Sequence, residues 1–421
     1  MTTATPQKLQ VRCSIAGGGP AGMMLGYLLA RAGIEVVVLE KHADFLRDFR
    51  GDTIHPSTLE VMHELGLLKE FLKRPHQEIT ELRGQIGSVE FVPGDFSHVP
   101  TQCRFMVMMP QWDFLNFLAE QAQRYPTFHL RMQAEVTGLM ENAGRIAGVR
   151  AKTPDGELEI RADLAVGADG RNSIVRDCSG LKVEDIGAPM DVLWMRMSRK
   201  PDDPDMTFRF DRGKALVVLN RGDYWQGAFL ISKGSYEGIR QKGIEGLRAR
   251  IAEIAPFLSS RVEELKDWDD IKLLTVRVDR LRQWYRPGLL CIGDAAHAMS
   301  PIGGVGINLA IKDAVAAANI LAGPFREGAV TAAHLAKIQN RRALPTRLTQ
   351  WLQVILQKQL ARILGTSERV ELPWAQRIIE RTKLGSRIRG RILGVGFRPE
   401  HVKTPDVYQE PERRAAGHVS L

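Results

Sequence analysis

Two glycine-rich blocks lie at opposite ends of the chain, and their patterns fit one ligand held from both ends. Gly17, Gly19 and Gly22 follow Gly-x-Gly-x-x-Gly, with an apolar run at 11–16 before them and a helical pattern at 23–32 after. A strand, a tight turn and a helix N-terminus in that order make a cradle for the diphosphate of a dinucleotide. Gly17 allows the turn, Gly19 lets backbone N–H groups reach the phosphates, and Gly22 lets helix and strand approach closely. Pro20 and Ala21 open the helix, whose N-terminal partial charge adds to the attraction. After Gly33 a short β-branched run ends in Glu40, placed to accept hydrogen bonds from ribose hydroxyls. Lys41, beside it, and Val136 complete this end of the cofactor set. The glycine pattern alone is a weak signal; strand, helix, second strand and acid in order make it a strong one.

The second block reads Gly293-Asp294-Ala295-Ala296-His297, followed by Pro301 and by Gly303-Gly304-Val305-Gly306-Ile307-Asn308. Residues 289–292 read as a buried strand that delivers Asp294 to the carboxyl edge of a sheet, where open α/β folds bind ligands. From Pro301 to Asn308 the chain reads as a turn running into a helix, with backbone donors at Gly304, Gly306 and Ile307 free to meet a ligand.

The elements that must position these residues follow from periodicity. Residues 1–75 read as a βαβ unit, then a segment holding Arg50 and a helix at about 56–68. Short strands fill 76–110, a helix with a Phe114, Leu115, Phe117 and Leu118 stripe occupies about 111–124, and strands at 145–149, 156–160 and 164–168 return the chain to the nucleotide lobe. Longer alternating strands at 206–210, 215–219 and 224–232, with one helix at about 241–258, form an insertion. An Ala-rich helix at 307–322 packs on the nucleotide lobe, and a helix at about 344–364 carries Leu348, Trp351, Leu352, Ile355 and Leu356 at helical spacing. The expected fold is α/β: a Rossmann-like lobe of 1–75, 100–180 and 283–340, an inserted mainly antiparallel β-sheet lobe of 76–99 and 181–282, and C-terminal helices in a basic segment, 341–421.

Charge and cysteines narrow the classes. The chain of 421 residues has a net charge of +9, but residues 331–421 hold 17 Lys and Arg against 7 Asp and Glu, leaving 41 against 42 elsewhere. The basic character therefore belongs to the tail, with Arg387, Arg389, Arg391 and Arg398. A solvated face is the plain reading; contact with an anionic membrane or an acidic partner is the alternative. No aromatic-interleaved basic stripe points to nucleic acid. Cys13, Cys103, Cys178 and Cys291 lie far apart, without metal-ligand spacing, and read as free thiols. No secretory segment and no apolar run near ~18 residues is evident, so a cytoplasmic protein is expected, membrane-peripheral if the tail binds lipid.

A third block, Asp169-Gly170-Arg171-Asn172-Ser173-Ile174-Val175-Arg176, falls between the first two. With Asp-Gly-x-x-Ser-x-x-Arg and Gly-Asp-Ala-Ala-His-x-x-x-Pro in this order, the chain from about 10 to 345 resembles the single-component FAD-dependent aromatic hydroxylases, the para-hydroxybenzoate hydroxylase-like monooxygenases. With no thioredoxin-like domain following, it is similar to the compact members. The resemblance implies FAD as cofactor, NAD(P)H and O2 as co-substrates, and hydroxylation of an aromatic or similarly electron-rich small molecule through a C4a-hydroperoxyflavin. It implies that Asp294 accepts bonds from ribityl hydroxyls and that the Pro301–Asn308 loop faces the pyrimidine edge of the flavin, Pro301 being the nearest to a catalytic position. Arg50 resembles the family arginine near the diphosphate, Gln111 a flavin-contacting position, and Asp169 the acid linked to FAD and NAD(P)H. His297 reads as structural. Val305 departs from the polar residue many relatives carry. Substrate-facing candidates on the insertion are Arg196, Arg209, Trp225 and Gln226.

Other classes on the same scaffold are a flavin halogenase, an isoprenoid-type reductase and a non-catalytic flavin-binding protein. Halogenases carry Trp-x-Trp-x-Ile-Pro, and none of the seven tryptophans here has a partner two positions on. Oligomeric state stays open, a homodimer being one option.

Overall fold

The computed structural model describes residues 6–46, 53–204, 206–368 and 383–408. Its nucleotide-side sheet is built on Gln7–Ala16, which pairs in parallel with Gly156–Gly167 on one side and Val36–Leu39 on the other. Phe128–Arg131 and Leu289–Cys291 extend it, also in parallel. Val36–Leu39 is buried at all four positions, as a parallel strand covered on both faces must be. Helix Pro20–Arg31 makes the first crossover and buries ten residues between this sheet and helix Gly306–Glu327. The two short strands expected at 156–160 and 164–168 are one strand of twelve residues, Gly156–Gly167. Its first half pairs with the antiparallel strand Arg145–Thr153, and its last residues pair with Leu289–Cys291. The polar run Arg161-Ala162-Asp163 therefore marks a change of partner and not a turn.

A second sheet of seven strands runs in the order Lys272–Leu274, Met190–Ser198, Tyr224–Ser232, Lys214–Asn220, Met206–Asp211, Glu81–Ile86, Val89–Asp95. It is antiparallel except where Met206–Asp211 meets Glu81–Ile86. One face buries Leu193, Trp225 and Phe229 against helix Gly243–Ile254. The single helix expected at 241–258 is broken: Gly243, at φ +80°, ends Tyr236–Gln241 and starts Gly243–Ile254.

The long helix Ala332–Leu364 differs from its sequence reading. Its apolar stripe suits core packing or, alternatively, membrane or subunit contact; Trp351 and Leu356 are exposed, Leu348, Leu352 and Ile355 half-buried, and Arg342, Thr346, Gln350, Gln353 and Gln357 are buried. The surface beneath is irregular backbone whose carbonyls need donors, so an amide-bearing face packs there. A second correction concerns membrane-length helices. By length and composition Ile302–Glu327 could cross a membrane, but 78% of its apolar window is buried inside the protein, which makes it a core helix. After residues 369–382, which lie outside the described set, helix Lys383–Gly394 returns to strand Val89–Asp95. A Cβ on Gly390 would sit 1.9 Å from the Asp95 carbonyl oxygen, so only glycine permits this approach. Residues 409–421 lie outside the described residues.

Candidate active site

Both glycine blocks open on one cavity of about 1040 Å³, at the upper end of the ~300–1,000 Å³ usual for small-molecule sites. Gly17 has φ +102°, and a Cβ there would lie 2.4 Å from the Ala168 carbonyl oxygen. Gly22 meets Gly17 so closely that a Cβ would fall 2.0 Å from its oxygen, which explains the third glycine without giving it a place on the cavity wall. Gly19 caps helix Pro20–Arg31 without a side-chain bond, and nothing lies within 4 Å of where its Cβ would be. The open helix N-terminus thus presents unpaired N–H groups and positive potential to the cavity, the requirement for a diphosphate.

Gly17, Gly19, Pro20, Ala21, Glu40, Lys41, Gln111 and Val136 border this space, as do Asp169, Asp294, Pro301, Gly304, Gly306 and Ile307. Glu40 accepts from the backbone N–H of Gly18 at 3.0 Å and of His42 at 3.1 Å, so it also fixes the turn. Asp169 is engaged within its own loop, accepting from the Ser173 hydroxyl and, at 3.1 Å, the Val175 N–H. Burial still raises its carboxyl above the ordinary value, against those donors. At the other end Asp294 faces Arg171 across 3.4 Å. Sequence reasoning left Arg171 without a role, although it occupies a variable position of the motif that ends beside the cavity.

The loop carrying Pro301 is held from behind. Gly303 and Gly304 have φ +78° and +61°, and the Gly304 carbonyl accepts from the Thr53 hydroxyl at 2.9 Å. Asn308, expected to contact the cofactor, lies beneath the loop at 2% exposure with all its amide bonds inside the protein. Its oxygen accepts from the His55 N–H and the Thr58 hydroxyl, each at 2.8 Å, and its nitrogen donates to the carbonyls of Thr53 at 3.0 Å and Gly304 at 3.2 Å. From the long helix, the Gln353 amide donates to the Ser300 and Ile302 carbonyls at 3.0 and 2.9 Å, and the Gln350 amide to those of Asp279 and Ala298 at 2.9 and 3.2 Å. From the C-terminal helix, the Leu393 carbonyl meets the His55 ring at 2.8 Å, and the Val395 carbonyl accepts from Lys312 at 2.7 Å. Burial, with Lys312 nearby, lowers His55 to about 4; burial and Arg342 lower Lys312 to about 7.

His297, read from the sequence as structural, is buried, bonds Asp313 at 2.6 Å and packs on the Trp284 ring. Burial would raise the Asp313 carboxyl, but His297 and Arg342 hold it below its ordinary value. Arg50 lies outside the described residues.

The remaining wall is the inner face of the seven-stranded sheet. Strand alternation selects Met190, Val192, Trp194, Phe208, Phe210 and Val217 for it, and from Tyr224–Ser232 the residues Gln226, Ala228 and Leu230. Of four substrate candidates, only Gln226 lies there. Trp225 has the opposite parity and is fully buried, bonding Asp203 at 3.0 Å. Arg209 also faces away, bonding Gln85 at 3.0 Å over the Phe257 ring. Arg196 shares the parity of Gln226 but lies past the cavity, exposed, with its guanidinium 3.9 Å from the Tyr224 ring centre. Sequence reasoning favoured polar residues and passed over the apolar wall, whose signal was the regular Met190, Val192, Trp194 and Phe208, Phe210 alternation.

Comparison with known proteins accounts for this arrangement. A family profile described as FAD binding domain matches residues 9–352. The 6-methylpretetramide 4-monooxygenase of Streptomyces rimosus is 30% identical over 400 residues, 94% of this chain and 95% of that protein. Several further curated relatives are longer, and the chain spans 60–63% of their length. Among solved structures, PqsL of P. aeruginosa, determined with 2-aminobenzoylacetate, has a TM-score of 0.73 at 24% identity, covering 85% of this chain and 98% of that one. The p-nitrophenol 4-monooxygenase PnpA of Pseudomonas putida DLL-E4 has a TM-score of 0.72 at 21% identity, covering 92% and 95%. These likenesses establish the fold, and the profile match runs through all three motif blocks and the sheet wall between them. The chain belongs to the FAD-binding-domain family of flavin monooxygenases related to para-hydroxybenzoate hydroxylase.

Proposed function

We propose that this chain is an FAD-dependent monooxygenase that uses NAD(P)H and O2 to hydroxylate an aromatic polyketide or phenolic compound. The observation that carries the reading is that two glycine-built cradles and an apolar sheet wall share one cavity. The residues fit the cofactor: an open helix N-terminus at Gly19 for the diphosphate, Glu40 for the ribose, Asp294 for the ribityl chain and the loop at Pro301–Ile307 for the pyrimidine edge. When bound, FAD supplies acceptance of hydride from NAD(P)H and activation of O2 for transfer of one oxygen atom. The protein's own part is to bind, orient and dry. Backbone N–H groups in the loop stabilise negative charge at the pyrimidine edge, and the apolar wall excludes water from the reacting ring. The relative named 6-methylpretetramide 4-monooxygenase supports the substrate class. Free, mostly buried cysteines support a cytoplasmic location.

The test follows NAD(P)H loss and product mass with the FAD-loaded protein over phenols and multi-ring aromatics under 18O2. A substrate that accelerates NAD(P)H oxidation and gains a single 18O supports the reading. Redox-inert FAD, halide-dependent products or a reduced alkene without oxygen would reject it.

A further inference from the structure

Between strands Met190–Ser198 and Met206–Asp211 the seven-stranded sheet presents apolar side chains to the cavity, apart from Gln226. Three adjacent strand spacings, from Met190–Ser198 to Met206–Asp211, span about 14 Å at ~4.8 Å each, wider than one aromatic ring requires. Within that wall Gln226 is 4% exposed, and its amide is only half satisfied. The Arg221 Nε–H donates to the Gln226 oxygen at 3.0 Å, and arginine can only donate, so the amide orientation is fixed. The Gln226 nitrogen, enclosed at the cavity wall, has no acceptor among the described residues. A buried amide left in this way costs about 1–3 kcal/mol unless something else accepts from it.

We propose that Gln226 is the specificity-determining anchor of the substrate: its amide N–H binds a ring-borne oxygen of a fused-ring aromatic whose carbon skeleton lies on the apolar wall. This rests on the monooxygenase reading above and adds the substrate's chemistry to it. Arg221 sharpens the role, because a guanidinium bonded to the amide oxygen polarises the amide and strengthens its N–H as a donor. The terminal torsion of glutamine is broad, so a ligand oxygen can draw the group outward by a small rotation. Among the described residues, the cations bordering the cavity lie away from the central strands, and Arg221 is bonded to the amide oxygen behind the donor. Arg209 is turned away and Arg196 lies over Tyr224, while Lys272 and Arg277 are exposed at the edge strand and beyond it. A carbonyl or phenolic oxygen therefore suffices for recognition.

The experiment compares binding of 2-naphthol and naphthalene to the purified full chain, read by quenching of tryptophan fluorescence, with FAD content measured separately. Wild type should prefer 2-naphthol by about tenfold, or about 1.4 kcal/mol. Gln226→Leu should erase that preference by weakening 2-naphthol alone, with FAD content unchanged. Should that variant fail to fold, Arg221→Gln, which keeps a donor but removes the charge, should cut the preference to about threefold. Retention of the full preference in Gln226→Leu, or in Arg221→Gln if that is the variant that folds, overturns the proposal. So does wild type that binds neither probe or both equally. A chain that lacks FAD yet shows the preference and its loss keeps the anchor and sinks the flavin reading instead.

Discussion

Replacing Asn308 by alanine separates a cofactor ligand from a structural staple. The side chain makes four hydrogen bonds at 2.8–3.2 Å, all to protein groups. At about 1 kcal/mol net each the loss approaches 4 kcal/mol, and an orphaned His55 N–H adds about 1–3 kcal/mol. The Thr58 hydroxyl can rotate to a new acceptor, which offsets part of this, so about 3–5 kcal/mol is expected overall. Unfolding entropy near 2.1 cal/mol/K per residue gives about 0.9 kcal/mol/K for the chain's 421 residues, hence a Tm lower by about 3–6 °C if it melts as one unit. The assay is thermal unfolding of the FAD-free protein, wild type against Asn308→Ala, followed by FAD titration. Because every bond is internal, the FAD-free protein must lose the stability, and FAD affinity should fall as a consequence of a loosened loop. A Tm within 1 °C of wild type in the FAD-free state, with FAD affinity reduced, would refute this and return Asn308 to direct cofactor contact.

The second and third glycines of the first block should respond differently. Gly19→Ala has open space and should keep the FAD-free Tm while losing about tenfold or more in FAD affinity; Gly22→Ala, with a Cβ 2.0 Å from the Gly17 oxygen, should lose both. His55 titrates at about 4 in the fold against an ordinary 6.5, so the unfolded chain takes up its proton first as pH falls. Its contribution is complete above pH 6.5 and is lost on descending to pH 4, amounting to about 3 kcal/mol at 1.36 kcal/mol per pH unit; His55→Gln should flatten the measured stability slope across that window. Leu344 and Trp351 beside Arg347, and Leu384 and Ile388 beside Arg391, are exposed on the C-terminal helices. If they meet an anionic membrane, sedimentation with anionic vesicles should be strong at low salt and weaken as salt screens it; no sedimentation at low salt leaves a solvated face.

What the chain spells out plainly is the part where one residue type alone satisfies the backbone. Gly17 and Gly22 are legible because any side chain would strike Ala168 or Gly17, and Val36–Leu39 because a strand covered on both faces has no polar position. Substrate-side residues were less legible because one register step exchanges the faces of a strand: Trp225 and Gln226 are neighbours in sequence and lie on opposite sides of the sheet. The long helix misled for a different reason. Apolar periodicity assumes an apolar partner, whereas Gln350 and Gln353 pack on the bare carbonyls of an irregular loop, a demand set by residues 279–302 and invisible in the helix's own pattern. Nor could local pattern foretell that the Leu393 carbonyl would meet the His55 ring, 338 residues earlier, and the Val395 carbonyl Lys312, 83 residues earlier, behind the loop.

That brace also sets an order of events during synthesis. The Gly17–Gly22 turn, its strand partner Gly156–Gly167 and Asn172 have all left the ribosome long before Leu393 and Val395 do. About 220 residues separate Asn172 from Leu393, on the order of 10–45 s at ~5–20 residues per second. Within that interval, over the 85 residues from Asn308 to Leu393 and so on the order of 4–17 s, a nascent chain carries both a nucleotide cradle and an unbraced loop. The adenosine end can be gripped first, and the seat at Gly303–Gly304 is locked only when helix Lys383–Gly394 docks.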